Sequence, residues 1–262
     1  MKIIVCVKQV PDTTEIRINP ETGTLIRDGV PSILNPDDAN ALEQALVIKD
    51  EHPGTEVVVI TMGPPQAKEM LQECIAMGAD EAILLSDRAL GGSDTWATSN
   101  AISAGIRKIG DFDLIFAGRQ AIDGDTAQVG PQIAEKLGIP QITYVKGFEL
   151  HGNEIIAERA LEDGYEKLKA AVPCLLTAIK DLNEPRYMSV RGIRRAVKQE
   201  VSVWNAEDIG VDLTAVGLKA SPTNVFKSFT QKPKGAGVFV KGDTAREKAA
   251  ALLEALKEKH VI

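Results

Sequence analysis

Histidine and cysteine are both scarce in this chain of 262 residues, which has three of each. Cys6, Cys74 and Cys174 stand far apart in apolar surroundings and make no Cys-x-x-Cys pair. That spacing argues against iron–sulfur or structural zinc ligation within the chain and leaves the thiols as small buried hydrophobes. His52, His151 and His260 fall at a helix end, a turn and the last residues. The positioned histidine that serine- and metal-hydrolases usually need is therefore missing. Aromatic residues make up 4% and the net charge is -7. A general nucleic-acid surface needs the opposite balance, although one local basic patch is compatible with it. No apolar run approaches the ~20 residues that span a bilayer. Met1-Lys2-Ile3 passes straight into a strand without the layout of a signal peptide. A cytoplasmic protein is expected.

What is present is a regular alternation of short β-branched runs with amphipathic stretches. Residues 2–8, 56–62, 82–86, 113–117, 142–145 and 172–177 read as buried strands. Between the early strands lie helical stretches. Asn35 looks like an N-cap with Pro36 at the first helical position, for a helix to about Glu51 that buries Leu42, Ala45, Leu46 and Ile48. Gly63-Pro64-Pro65 opens a second helix stopped by Gly78, and Ser93 or Asp94 caps a third to about Ile109. Alternation around Pro20-Glu21-Thr22-Gly23 suggests a small hairpin before the first helix. Such a pattern predicts an α/β fold, a mostly parallel sheet with helices on both faces. Past Val145 short strands alternate around two turns, and residues 201–240 lose their periodicity. A last helix over roughly 244–259 is expected to bury Ala249, Leu252, Leu253 and Leu256 at the end of an extended arm.

The most informative segment is 118–131, Gly-Arg-Gln-Ala-Ile-Asp-Gly-Asp-Thr-Ala-Gln-Val-Gly-Pro, set between an apolar strand and a short helix closed by Gly138. A small-residue loop at that place leaves backbone N–H groups aimed outward with a helix dipole behind them, which suits a phosphate. Asp123 and Asp125 are awkward beside a phosphate unless they brace the loop or hold ribose hydroxyls, with Arg119 offsetting charge. A plain connection with an Asp-Gly turn fits the pattern equally well. In parallel sheets, however, ligands bind beyond the carboxyl ends of strands. The loops after Val7, Thr61, Ser86 and Ala117 all gather at that edge and all look atypical for mere connectors. Their convergence favours a nucleotide.

Several motifs together resemble the small (beta) subunit of electron-transfer flavoproteins. They are Val7-Lys8-Gln9-Val10-Pro11-Asp12, Asn35-Pro36, Met62-Gly63-Pro64, Met77-Gly78-Ala79-Asp80, the 118–131 segment and Leu182-Asn183-Glu184-Pro185-Arg186-Tyr187. They run in order across nearly the whole chain. The resemblance implies an adenine-nucleotide-binding α/β fold in a heterodimer with a larger, flavin-carrying alpha subunit. It implies residues 1–200 as the nucleotide-binding domain and 201–262 as a C-terminal arm contacting the alpha subunit. Respiratory-type members hold AMP at the beta site, whereas electron-bifurcating members hold a second FAD that accepts hydride from NADH. The stretch Asp123 to Pro131 and the tail Ser221-Pro222-Thr223-Asn224-Val225 look like the bifurcating version, so FAD is favoured and AMP remains the alternative. A stand-alone nucleotide-binding protein of the same fold is the reading from another class.

Carried over position by position, Cys6, Asn35, Pro36, Asp37, Asp38 and Met62 match adenine-nucleotide contacts of the family. Asp123, Gly124, Asp125, Thr126, Ala127, Gln128, Val129, Gly130, Pro131 and Gln132 match its phosphate and ribose loop. The flavin ring would lie towards Arg88 and Gly91, Gly92, Ser93, Asp94 and Thr95, where Arg88 would stabilise a reduced anionic ring. The segment 183–199 matches the loop that docks acyl-CoA dehydrogenases, with Tyr187, Val190, Arg191 and Ile193 as contacts. Val190 stands where the family's apolar anchor is usually Leu. Ferredoxin or flavodoxin is the implied acceptor of the second electron. A flavin does the redox chemistry, so no histidine or nucleophile is required. No metal is expected.

Overall fold

Strand β1 (Lys2–Cys6) is flanked in space by β4 (Glu56–Met62) and β6 (Leu114–Gly118), both parallel to it. The computed structural model describes residues 1–12, 31–223 and 235–262. These separate into a larger unit, which holds the first two stretches, and a smaller one, which holds the third. The hairpin expected around residues 20–23 lies outside the described residues. Its flanks, β2 (Gln9–Pro11) and β3 (Ser32–Leu34), pair antiparallel as a small ribbon of their own.

From β1 the chain passes through α1 (Pro36–Glu51) to β4, then through α2 (Ala67–Met77) to β5 (Glu81–Leu85). It returns through α3 (Thr95–Ile109) to β6, on the other side of β1, and continues into α4 (Val129–Leu137). Three antiparallel-linked strands follow, β7 (Gln141–His151), β8 (Glu154–Ala160) and β9 (Tyr165–Ala171), and β10 (Cys174–Ala178) then inserts between β6 and β7. After the short helix α5 (Val190–Ala196), β11 (Ser202–Trp204) adds beside β5 as a parallel edge strand. Among the described residues the sheet runs β11-β5-β4-β1-β6-β10-β7-β8-β9. The order reverses between β1 and β6, and ligands of open α/β sheets bind in that crevice, beyond the carboxyl ends.

Strand periodicity sorts the core into two layers. Ile3, Val5, Phe116 and Leu176 face α1 and α2 with Leu42, Leu46, Leu71 and Ile75. Ile4, Val58, Ile60 and Ile115 face α3 and α4 with Ala101, Ile106, Ile133 and Ala134. The helix stops expected at Gly78 and Gly138 are present, the latter in the left-handed region that a Cβ disfavours. Of the two candidates for the α3 cap, Asp94 fills the position, accepting from the amide of Ala97. Helix α2 starts at Ala67, past Pro64 and Pro65, and α4 starts at Val129, inside the 118–131 segment.

Residues 201–223 carry little periodicity because they are short pieces laid on the larger unit. Ser86 donates to the carbonyl of Trp204, and α6 (Gly217–Ala220) follows on the same surface. In the smaller unit, α7 (Ala245–Glu258) starts with a capping box between Thr244 and Glu247. Here the sequence expectation needs correcting. No residue of α7 is buried, and Leu252 and Leu253 are about half exposed. The stripe is amphipathic in sequence, but burial needs a facing apolar surface as well as a stripe.

Candidate functional site

The exits of β1 and β6 are joined by one buried carboxylate. Asp38, in the first turn of α1, accepts from the amide of Lys8 at 2.8 Å and from that of Gly118 at 2.9 Å. Burial pushes its pKa up to about 7, and Asp37 adds repulsion, while Asn35 and the two amides pull the other way. Gly118 is small for a steric reason: a Cβ there would sit 2.7 Å from the Asp38 nitrogen and against its carboxylate.

Asn35 immediately precedes α1 as the sequence suggested, yet its side chain makes no cap. It turns away and pins the loop after β6, donating to the carbonyl of Gln120 at 2.8 Å and accepting from the amide of Ile122 at 3.1 Å. The side chain is fully buried, so both bonds form in a low-dielectric setting. Lys8 reaches Asp123 at 2.6 Å, and Gln120 donates to Asp125. The two aspartates thus brace the loop. Lys8 offsets the charge of Asp123, whereas Arg119 lies instead 3.4 Å from Asp37. Burial raises the Asp37 pKa, opposed by Arg119 and the Gln120 backbone.

Thus stapled, the loop adopts a costly shape. Asp125 and Ala127 both have left-handed φ, 52° and 53°, a conformation disfavoured by roughly 1–2 kcal/mol for each non-glycine residue. Amides on such an alternating backbone converge into an anion-binding concavity. Among the described residues, the N–H groups of Thr126, Ala127, Gln128, Val129 and Gly130 have no protein partner. They precede and open α4, whose dipole adds to their field. Gly130 lets α4 come close, since a Cβ there would meet the Thr177 methyl of β10 at 2.8 Å. Gly124 has open space where a side chain would be. This arrangement fits a phosphate or pyrophosphate.

The loop after β5 is drawn to the same place. Thr95 donates to Gln128 at 2.7 Å and Ser99 to Gln132 at 3.1 Å, so the starts of α3 and α4 lie side by side. The 91–95 turn is itself held from below. Asp94 receives the amide of Thr223, the amide of Asp94 donates to Ser221, and Ser93 accepts from the amide of Gly217. Arg88 projects from the exposed turn before Gly91 and Gly92. Cys6 and Met62 close the ends of β1 and β4, and the Cys6 thiol is pushed up to about 12 by burial and then by Asp38. Pro36 and Pro131 sit in the first turns of α1 and α4. The residues proposed for nucleotide contact from Cys6 to Gln132 therefore share one sheet edge. Lys8 and Gln120 belong with them. Their reach across the loop depends on strand pairing, so only proximity to the motif could have signalled them.

Tyr187, Val190, Arg191 and Ile193 form a separate surface. Its base is pinned first to α1: Asn40 and Asn183 exchange bonds, and Arg186 makes a two-point pair with Glu43 and a further contact to Asp50. At the far end Arg195 donates to the carbonyls of Ile75 and Ala79 in the last turn of α2 and beyond it. Gly192 packs directly on the Ala76 carbonyl, where a Cβ cannot fit. Helix α2 runs back toward the amino ends of the strands, so α5 lies away from the carboxyl edge. Two of the basic residues, Arg186 and Arg195, are consumed in holding the segment down. Tyr187 is left 97% exposed and Val190 79%, beside a cavity of about 490 Å³ lined by Val190, Arg191, Arg194, Arg195 and Lys198. Among the described residues no helix is long and apolar enough to cross a membrane.

The electron transfer flavoprotein domain family matches residues 22–209. Over 262 residues the chain is 62% identical to the caffeyl-CoA reductase-Etf complex subunit CarD of Acetobacterium woodii, covering the whole of both. It is 60% identical to an electron transfer flavoprotein subunit beta of Clostridium acetobutylicum, again over the full length of each. With the acryloyl-CoA reductase electron transfer subunit gamma of Anaerotignum propionicum it shares 52% over 270 aligned positions, also end to end.

Proposed function

The chain belongs to the electron-transfer flavoprotein family, among its beta subunits, and from that premise we propose that its carboxyl-edge loop holds FAD and receives there the hydride of NADH. In this reading it works as a heterodimer with a flavin-carrying alpha subunit. One electron leaves to ferredoxin or flavodoxin. The other leaves through the alpha-subunit flavin to an acyl-CoA dehydrogenase-type enzyme. Two relatives carry the name of a CoA-thioester reductase, which supports a partner of that chemistry.

The observation that carries the proposal is the run of free amides from Thr126 to Gly130 around two left-handed residues. A backbone held at that strain persists only when its surroundings fix it, and here Asn35, Lys8 and Gln120 do so. In the proposed complex these amides bind the pyrophosphate. Gln128, Gln132 and Thr95 carry the contact across to the 91–95 turn, and Arg88 adds positive charge on the flavin side. Bound there, FAD supplies hydride acceptance and single-electron release, chemistry this chain's side chains lack. The exposed Tyr187, Val190, Arg191 and Ile193 dock the dehydrogenase partner.

The same loop also fits AMP, and the two readings separate cleanly. Nucleotides released from the purified heterodimer are identified by mass spectrometry and counted against protein. Two FAD per heterodimer, with bleaching of the beta-site flavin on NADH addition, is the expected result. One FAD with one AMP would make the beta site structural and refute the hydride-accepting role.

A further inference from the structure

Beyond the loop that holds the resident cofactor, the same sheet edge carries an aromatic–cation pair with no assigned task. β7 bulges where it meets β10: Ile142 pairs with Leu176 and Val145 with Ala178, so Thr143 and Tyr144 together oppose the single residue Thr177. The bulge puts Tyr144 at a φ of 57°, a strained setting for a bulky aromatic residue. It is kept there by its amide, which donates to the buried Thr177 hydroxyl at 3.0 Å. Tyr144 as a whole is 37% exposed, and the Arg119 guanidinium lies over its ring with 5.9 Å between its carbon and the ring centre.

Arg119 is only partly neutralised. Its Nε lies 3.4 Å from Asp37 Oδ2, close enough to attract but not aligned, so both buried atoms lack a hydrogen-bond partner. Among the described residues its side chain makes no hydrogen bond, and about a third of it faces solvent. Thr177 connects this pair to the phosphate loop: its hydroxyl holds Tyr144 while its methyl lies where a Cβ of Gly130 would be. The platform and the amides at the start of α4 are therefore neighbours across one residue.

We propose that Tyr144 and Arg119 form the receiving platform for the hydride donor, a nicotinamide dinucleotide, with Tyr144 stacking on a ring and Arg119 facing its phosphates. A partly exposed aromatic face beside a guanidinium suits a phosphorylated aromatic ligand better than a plain anion or an apolar chain. Its position beside, but not within, the run of free amides suits a second nucleotide next to the resident one. The inference rests on the NADH-linked reading above.

The test uses the FAD-loaded heterodimer and oxidised NAD, which binds without reducing the flavin. Calorimetric titration gives the NAD affinity, and extracted flavin gives cofactor content. Tyr144→Gly keeps the left-handed backbone and removes the ring, and is expected to weaken NAD binding about tenfold, the loss of one stacking contact. Tyr144→Phe retains the ring and should bind within about twofold of the parent, since stacking needs only the π-face. Arg119→Lys, which loses the planar fork, should fall between them. In steady state the KM for NADH rises in step while kcat stays level. Unchanged affinity in Tyr144→Gly overturns the platform, as does loss of FAD with NAD affinity intact, which would make the pair a contact of the resident cofactor. If the unaltered heterodimer neither binds NAD nor is reduced by NADH, the underlying functional reading fails as well.

Discussion

Gly118→Ala is the change that most directly tests the arrangement of the site. A Cβ at position 118 points into the Asp37–Asp38 peptide, 2.7 Å from the Asp37 carbonyl carbon and the Asp38 nitrogen, with the Asp38 carboxylate closer still. Real Cβ contacts are not made at such distances, so either α1 or the Asp38 side chain has to shift. A shift of the carboxylate breaks its bond to the Gly118 amide, now 2.9 Å, and strains that to Lys8, now 2.8 Å. Overpacking of this kind costs about 1–3 kcal/mol. A buried, charge-assisted hydrogen bond adds about 1.5–3 kcal/mol. The sum is on the order of 3–6 kcal/mol, a large share of the usual 5–15 kcal/mol of a folded domain. At roughly 2–4 °C per kcal/mol for a unit of this size, the melting temperature should fall by about 6–24 °C. Differential scanning calorimetry of the heterodimer with matched cofactor content reads this. Gly124→Ala, which points into open space, serves as the control and should leave thermal stability nearly unchanged. A drop below about 2 °C for Gly118→Ala would refute the claim that Asp38 ties the β1 and β6 exits together.

Because burial raises the Asp38 pKa from 3.8 to about 7, the folded chain holds a proton that the unfolded chain releases across that window. Stability should therefore decline as pH rises from about 4 to 7 and level off above. Asp38→Asn should flatten that slope in melting temperature against pH while lowering stability throughout, because its NH2 faces an amide donor; an unchanged slope would show that another group titrates. Arg195→Ala removes the donors to Ile75 and Ala79, and should free α5 at a cost of about 1 kcal/mol. Hydrogen exchange should then rise over residues 190–199 while the carboxyl-edge loop keeps its protection. Leu252→Ser with Leu253→Ser, on the exposed stripe of α7, should leave thermal stability of the isolated chain within about 0.5 kcal/mol of the parent. The same pair should weaken assembly with the alpha subunit, measured by analytical ultracentrifugation; undiminished assembly would place the arm's contact elsewhere.

Much of the site was legible one motif at a time. The 118–131 segment announces itself by glycine, small residues and position after an apolar strand, and the Asp94 cap and the Gly138 stop obey local rules. What could not be read is what those residues do to one another. Asn35 has a cap residue's identity and place, but a carbonyl and an amide more than eighty residues away compete for its side chain and win. Arg119 looked like the partner of the loop aspartates. The twist of the strands carries it to Asp37 and Tyr144 and leaves Lys8 to pair with Asp123. The strain at Tyr144 had no signal at all, because a bulge is defined by the register of β7 against β10.

Periodicity, caps and β-branched runs act over a few residues, so the elements, their alternation and the edge at which a ligand would sit are local matters written into the chain. Which polar atoms brace the loop, which amides stay free and which apolar faces remain uncovered are settled only once the strands are paired. Those outcomes depend on buried partners brought together by strand order. A donor or acceptor taken out of water binds whichever group the fold places beside it, however distant in the chain.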